Sequence, residues 1–306
     1  MTMSAKVPHL DDVLADLLAR RQSLNRLRRL TTVPPGTTNF SSNAYLSLSS
    51  HPEVQRAFLA RLEAAITADT SAPGLLGSGG SRLLDGNSEL AESLESSIAA
   101  FHHAPAGLLF NSAMDANIGL FSCVPQSGDV VVYDELIHAS VHDGMRLSRS
   151  SRRVPFAHNC VYGGPSGIRD EQTGVTNRLT NLETVLRGLW EPTDEVRNVF
   201  VVVEALYSMD GDLAPLKDIV ECVERCLPRG NGYIIVDEAH STGIFGDKGR
   251  GLVSELGLEN RVWARVLGFG KAMGCAGGTF RWDFPGLRSI PHLASWMPEP
   301  VVYLAS

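Results

Sequence analysis

The chain has 306 residues, 43% of them hydrophobic and 20% charged, with 27 basic against 34 acidic side chains and a formal charge of −7. Apolar residues are plentiful, glycine is aperiodic and there are only 5 cysteines, so disordered, collagen-like and disulfide-scaffold classes are excluded in favour of one large domain or two ordinary ones. The acidic balance argues against nucleic acid or anionic membrane as partners, and no apolar run approaches the roughly 20 residues that span a bilayer. Met1 to Leu10 does not read as a secretory signal, and the scattered, odd-numbered cysteines suit a reducing compartment. Cytosol is the expectation, with peroxisome and mitochondrion left open.

In chain order, Leu10, Val13, Leu14, Leu17, Leu18, Leu24 and Leu27 recur at helical spacing. They predict one amphipathic helix through the first thirty residues, stopped by Pro34, Pro35 and Gly36. Helices are also predicted over 52–68, 88–102, 179–189 and 216–227. Short apolar runs at 107–110, 129–133, 199–203, 233–236 and 266–269 read as strands. Apolar strands without alternation, separated by amphipathic helices, predict an α/β fold: three layers, with a mostly parallel sheet covered by helices on both faces. Ligands in such sheets bind beyond the carboxyl ends of the strands.

The residues after those strands carry the chemistry. Glu204-Ala-Leu-Tyr-Ser208 follows one run, Asp237-Glu-Ala-His240 the next, and Gly268-Phe-Gly270-Lys271 the third. His138 and the segment Phe110–Asn117 follow two others. A lysine shielded from water can form a Schiff base with an aldehyde. Asp237 can hold a pyridinium nitrogen protonated, His138 can stack on such a ring, and His240 can bond its phenolic oxygen. Backbone N–H groups of Ala113 and Met114, opening a helix, suit a phosphate. Together these describe a site for pyridoxal 5'-phosphate (PLP). Each residue alone has a blander reading: a solvated lysine, a loop histidine, a helix cap. The ordered set carries the inference. Asp237-Glu-Ala-His240 also resembles a helicase box, but no GxxxxGK[ST] loop lies upstream. Cys222-xxx-Cys226 on a predicted helix has a spacing that could suggest metal binding, but no second cysteine pair accompanies it, so no metal is expected.

Six segments then resemble the α-oxoamine synthases, a fold-type I branch of PLP enzymes. They are FSSNAYLSL with His51-Pro52, GSGGSRLLDG (77–86), DELIHAS (134–140), FAHN (156–159), YSMDGD (207–212) and DEAHSTGIFGDKGRG (237–251), ahead of GFGKAMG (268–274). The resemblance implies Lys271 as the cofactor-bearing catalytic lysine, with His138 beside it in catalysis. It implies Asp237, His138, His240, Ser208, Ala113 and Met114 around the cofactor, and Arg26 and Asn43 toward the substrate. The implied reaction condenses an amino acid, L-alanine first, with an acyl-CoA or acyl-carrier thioester, losing CO₂ to give an α-aminoketone. GSRLLDG favours oxononanoate-type members over 5-aminolevulinate and serine palmitoyl types, with ketobutyrate ligases as an alternative. Ala44, Ala113, Met114 and Gly268 depart from the family pattern, the last standing where a threonine often contacts phosphate.

The resemblance further implies a second, smaller carboxy-terminal domain and a homodimer. Phe280–Ser306 instead carries Pro285, Pro291, Pro298 and Pro300 and no sustained period. The expected division is a helical arm at 1–38, a cofactor-binding domain at 39–279 and an atypical tail at 280–306 in place of the small domain. On that basis the cofactor geometry is expected to persist with weakened turnover, the alternative being a degenerate paralogue with little activity.

Overall fold

The computed structural model describes residues 9–68, 77–163, 168–169, 176–177, 179–189 and 197–282. They fall into two compact units, one ending at Ser42 and one beginning at Asn43. In the first, α1 (Leu10–Ser23) has Asp11 and Asp12 in its first turn and Arg20 and Arg21 in its last, the order that suits the helix dipole. The expected thirty-residue helix is therefore shorter. Asn25 takes φ +53° and the Arg26 N–H turns back to the Arg21 carbonyl at 2.8 Å, which leaves Leu27 outside.

In the second unit, α2 (Pro52–Ala68) and α3 (Glu89–Phe101) precede the sheet. Ser88 caps α3 by accepting the Ala91 N–H at 3.2 Å. Among the described residues this sheet has seven strands: β1 (Ala106–Phe110), β2 (Val130–Asp134), β3 (Arg152–Phe156), β4 (Val199–Glu204), β5 (Gly232–Asp237), β6 (Ala264–Gly268) and β7 (Gly278–Trp282). Their order is β1-β7-β6-β5-β4-β2-β3, and all but β7 run the same way.

Val201 and Val203 of β4 point into one core with Leu182 and Leu186 of α6 (Leu182–Gly188), Leu216 and Ile219 of α7 (Leu216–Cys226) and Leu252 of α8 (Leu252–Glu255). Phe200 and Val202 point to the other face. There they meet Leu120 and Phe121 of α4 (Ala113–Cys123) and Val141 and Met145 of α5 (Ala139–Leu147). Successive strand residues bury on opposite faces, which is why these runs lack apolar alternation. The expected three-layer α/β fold is present.

Two features depart from the sequence reading. β7 is antiparallel and inserts between β1 and β6, with Phe280, Arg281 and Trp282 paired on both sides. Residues 280–282, assigned to the tail by the sequence reading, therefore belong to the sheet, and 283–306 lies outside the described residues. β3, Arg152–Phe156, was also missed, because Arg152, Arg153 and Pro155 hide a strand at the sheet edge.

One close helix contact sets up the site. A Cβ at Gly144 of α5 would lie 2.9 Å from both the Asn117 carbonyl oxygen and the Phe121 Cβ of α4. Only glycine lets the two helices approach this closely. Gly144→Ala is expected to destabilise the chain by about 1–3 kcal/mol through overpacking. Gly188→Ala, in open space at the end of α6, should be neutral or stabilising by up to about 1 kcal/mol. Urea unfolding of both variants checks the pair; equal effects would remove the close-approach argument.

Candidate active site

Glu204 ends β4 and Asp237 ends β5, and the two residues are direct partners in the sheet register. β6 ends next to them at Gly268, and the β6–β7 connection carries Lys271. Phe269 N–H to Gly277 O and Cys275 N–H to Phe269 O, both 3.0 Å, close that loop. Within it Gly274 adopts φ +67° and turns its N–H onto the Lys271 carbonyl at 3.0 Å. A side chain at Gly274 would be strained and would also strike the Ser49 N–H at 2.6 Å.

At this sheet edge lies a cleft of about 360 Å³ lined by Lys271, Asp237, His240, His138, Ala113 and Met114, together with Glu204 and Asn117. Six of the residues expected at a cofactor site are thus brought together. Asp237 is buried, and both its oxygens are held: Oδ1 accepts the Ala239 N–H at 2.9 Å and Oδ2 accepts Asn117 Nδ2 at 2.7 Å. His240 Nδ1 lies 2.7 Å from the Tyr45 hydroxyl, which leaves Nε2 as the nitrogen for a ligand in the cleft.

Burial sets the electrostatics. Desolvation pushes the Lys271 ammonium down from its ordinary range, and Asp237 and Glu204 oppose this only in part. Burial, then the Asp237 charge, pushes the Glu204 carboxyl up to about 8, so it holds its proton at neutral pH. His240 is pushed down to about 4 by burial, then by the Lys271 charge, and stays neutral. The cleft therefore offers an amine that gives up its proton more readily than a surface lysine, next to acids at the strand ends.

The residues present fit PLP. Ala113 and Met114 occupy the first turn of α4, where backbone N–H groups have no acceptor within the helix and suit a phosphate. The Ser112 hydroxyl accepts the third N–H, from Asp115, at 3.0 Å. A Cβ at Gly278 would lie 2.5 Å from Ala113 N, so glycine lets β7 pass beneath the helix start. Gly268, where the resemblance leads to a threonine, is tightly packed: a Cβ there would sit 3.0 Å from the Ala239 Cβ, so a larger side chain needs its neighbours to give.

Three expected residues are not among those lining the cleft. Ser208 is exposed on the turn after β4, where the backbone has already left the sheet. Asn43 is exposed, its Oδ1 3.4 Å from the Tyr45 hydroxyl. Arg26 belongs to the unit ending at Ser42. Sequence reasoning gave no role to Asn117, Glu204 or Tyr45. Asn117 was findable as the residue one helical turn from Ala113 on the same face, and Glu204 as the single charge ending an otherwise apolar strand.

Several motif residues build the frame rather than the cleft. His158 of FAHN lies between Asp134 of DELIHAS at 2.8 Å and Asp212 of YSMDGD at 2.7 Å. Burial works against its charge, but the bonds to Asp134 and Asp212 prevail and raise its pKa. Glu238, the second residue of DEAH, is fully buried against Arg265 at 3.3 Å and also accepts the Ser241 hydroxyl and the Val253 N–H, both at 3.0 Å. It faces no cleft, as a magnesium-holding glutamate would have to. Among the described residues no cluster could hold a metal ion, and no helix is long and apolar enough to cross a membrane.

The family model for aminotransferase class I and II matches residues 35–281. An 8-amino-7-oxononanoate synthase from Emericella nidulans is 50% identical over 268 residues, 88% of this chain and 60% of that protein. An aminoacyl transferase sphA from Aspergillus fumigatus is 38% identical, over 86% of this chain and 52% of that one. Among solved structures, a serine palmitoyltransferase from S. paucimobilis with bound PLP–myriocin superposes with a TM-score of 0.74 at 25% identity, covering 98% of this chain and 71% of that one. The chain spans between about half and three fifths of the length of these curated relatives. It belongs to the aminotransferase class I and II family, in the α-oxoamine synthase group.

Proposed function

We propose that this chain carries the cofactor site of a PLP-dependent acyltransferase. The reaction condenses L-alanine with an acyl thioester, with loss of CO₂, to an α-aminoketone of the 8-amino-7-oxononanoate type made in biotin synthesis. The observation that carries the reading is Lys271 in one cleft with Asp237, His138 and His240, ahead of a helix N-terminus. The 50% identity to the Emericella synthase supports the choice of reaction. When bound, the cofactor supplies an electron sink for negative charge at the amino acid's α-carbon.

The chain's own residues would do the rest. Lys271 Nζ would hold the cofactor and move a proton at the substrate's Cα. Asp237, with both oxygens anchored, would keep a proton on the ring nitrogen. His138 would lie against the ring, His240 would bond its oxygen, and the N–H groups of Ala113 and Met114 would take the phosphate. Arg26, Asn43 and Ser208 are proposed as outer contacts to substrate or cofactor. A homodimer in the cytosol completes the proposal, and exposed Phe58, Leu59 and Leu84 support a partner surface.

Two outcomes check this. The purified chain mixed with PLP should develop a visible absorbance band that Lys271→Ala lacks. In D₂O the loaded chain should exchange the α-hydrogen of L-alanine faster than that of glycine or serine, followed by NMR. A loaded chain that neither exchanges alanine nor releases CO₂ with any acyl-CoA refutes the assignment. Preference for serine would move it toward the palmitoyltransferase side of the family.

Glu204 gives a separate pH prediction. In the folded, cofactor-free chain it keeps its proton to about pH 8, against 4.5 for an ordinary glutamate. The unfolded chain loses that proton first, so stability should fall as pH rises from about 4.5 to about 8 and then level off. Glu204→Gln should flatten this slope in unfolding experiments across that window; an unchanged slope would show that Glu204 ionises normally.

A further inference from the structure

Behind the cleft a chain of buried groups joins its two ring-facing residues. Asn117 is 1% exposed and Ser140 fully buried. Asn117 Nδ2 lies 2.7 Å from Asp237 Oδ2 and 3.0 Å from Ser140 Oγ. Ser140 Oγ lies 2.7 Å from His138 Nδ1, and the Ser140 backbone N–H points at the same nitrogen from 3.2 Å.

Donor arithmetic fixes every proton in this chain. A side-chain amide nitrogen only donates, and it has two hydrogens: one goes to Asp237 and the other to Ser140. Turning the amide over would set its carbonyl against a carboxylate oxygen. The orientation present therefore holds even though it leaves the buried Asn117 Oδ1 without a partner. The Ser140 oxygen, having accepted from Asn117, has one proton left to give, and the neighbour in line is His138 Nδ1. That nitrogen receives two N–H or O–H groups, so it carries no hydrogen of its own. The His138 proton sits on Nε2.

We propose that Asn117 and Ser140 are positioning residues that couple Asp237 to His138: they fix the direction of the carboxylate and hold the imidazole in its Nε2–H form. The inference rests on the PLP reading of the cleft and deepens it. His138 then acts as a flat ring with a fixed N–H donor, and its Nδ1 takes no part in proton transfer. The Nδ2 bond keeps Asp237 a hydrogen-bond acceptor aimed by α4, and the Ser140 link ties that aim to α5. The close crossing of α4 and α5 at Gly144 brings the two residues within reach.

The test uses the whole chain and the variants Asn117→Ala, Ser140→Ala, the double variant and Ser140→Thr. Removing either bond is expected to weaken PLP binding about tenfold, the effect of losing one hydrogen bond to a charged or buried group. Because the two act through one path, the double variant should lose little more than the weaker-binding single. Ser140→Thr, which restores the hydroxyl, should recover most of the affinity. The pH midpoint of the visible band should move in both alanine variants. Independently of cofactor, ¹⁵N NMR of the unloaded chain should show His138 Nδ1 without a proton, and mixed forms in Ser140→Ala.

A protonated Nδ1 in the unaltered chain overturns the proposal, as does PLP affinity unchanged in both alanine variants. Additive losses in the double variant overturn the coupling. Lower melting temperatures with an unmoved pH midpoint would mark a structural tie and also overturn it. If the unaltered chain binds no PLP, the functional reading fails, while the NMR result still decides the hydrogen positions.

Discussion

Where β4 and β5 end, sheet register sets two acids side by side. Paired residues on neighbouring strands are held about 5 Å apart by the backbone ladder, whatever their side chains prefer. Glu204 and Asp237 are such a pair, each mostly buried. Two carboxylates so placed cannot both ionise at low cost, and the structure resolves the conflict asymmetrically. Asp237 receives two N–H donors, while Glu204 is pushed up to about 8 and keeps its proton. Lys271 enters from the next strand's loop, already depleted of solvent, beside this pair. The acid–base character of the cleft follows from backbone register before any ligand arrives.

Sequence signatures of this family do two different jobs, and the structure separates them. Lys271, Asp237, His138 and His240 face the cleft. Asp134, His158 and Asp212 come from three separate motifs and meet in one clamp, pinning the loops after β2, β3 and β4 to each other. Glu238 and Arg265 form a buried pair beneath the β5 end, with Arg265 also donating to the His102 carbonyl at 3.0 Å. Buried pairs of this kind add little net stability against an apolar alternative, but breaking one partner is costly. Their role here is to hold strand ends in place, which a cofactor site needs more than it needs extra stability.

The fold was largely legible because VFVVV, YIIV and DVVVY are apolar without alternation, and only a sheet covered on both faces buries such runs. The cleft was legible for the same reason, since polar residues directly after apolar strands fall on one edge. What escaped the sequence depended on three-dimensional proximity. β7 pairs with β1, far away in sequence, and nothing local in Gly278–Trp282 marks its direction. Asn117 and Ser140 lie on different helices, and only the Gly144 crossing brings them together. The helix through residue 30 failed on one residue, Asn25, whose left-handed backbone ends a pattern that the leucine spacing alone would extend.

The contrast between inner and outer residues has a functional consequence. The cleft-lining set comes from one continuous unit and from strand ends locked by register. Ser208 and Asn43 are exposed, and Arg26 lies in the other unit. Holding a cofactor needs groups fixed to fractions of an ångström, whereas selecting a substrate needs groups that can change without disturbing the sheet. Relatives whose names give different products, an oxononanoate synthase, an aminoacyl transferase and a palmitoyltransferase, align over most of this chain. The rigid strand ends are what such proteins can share. The exposed positions outside the cleft carry no such register constraint, and beside Asn43 and Tyr45 the chain already departs from the family pattern at Ala44.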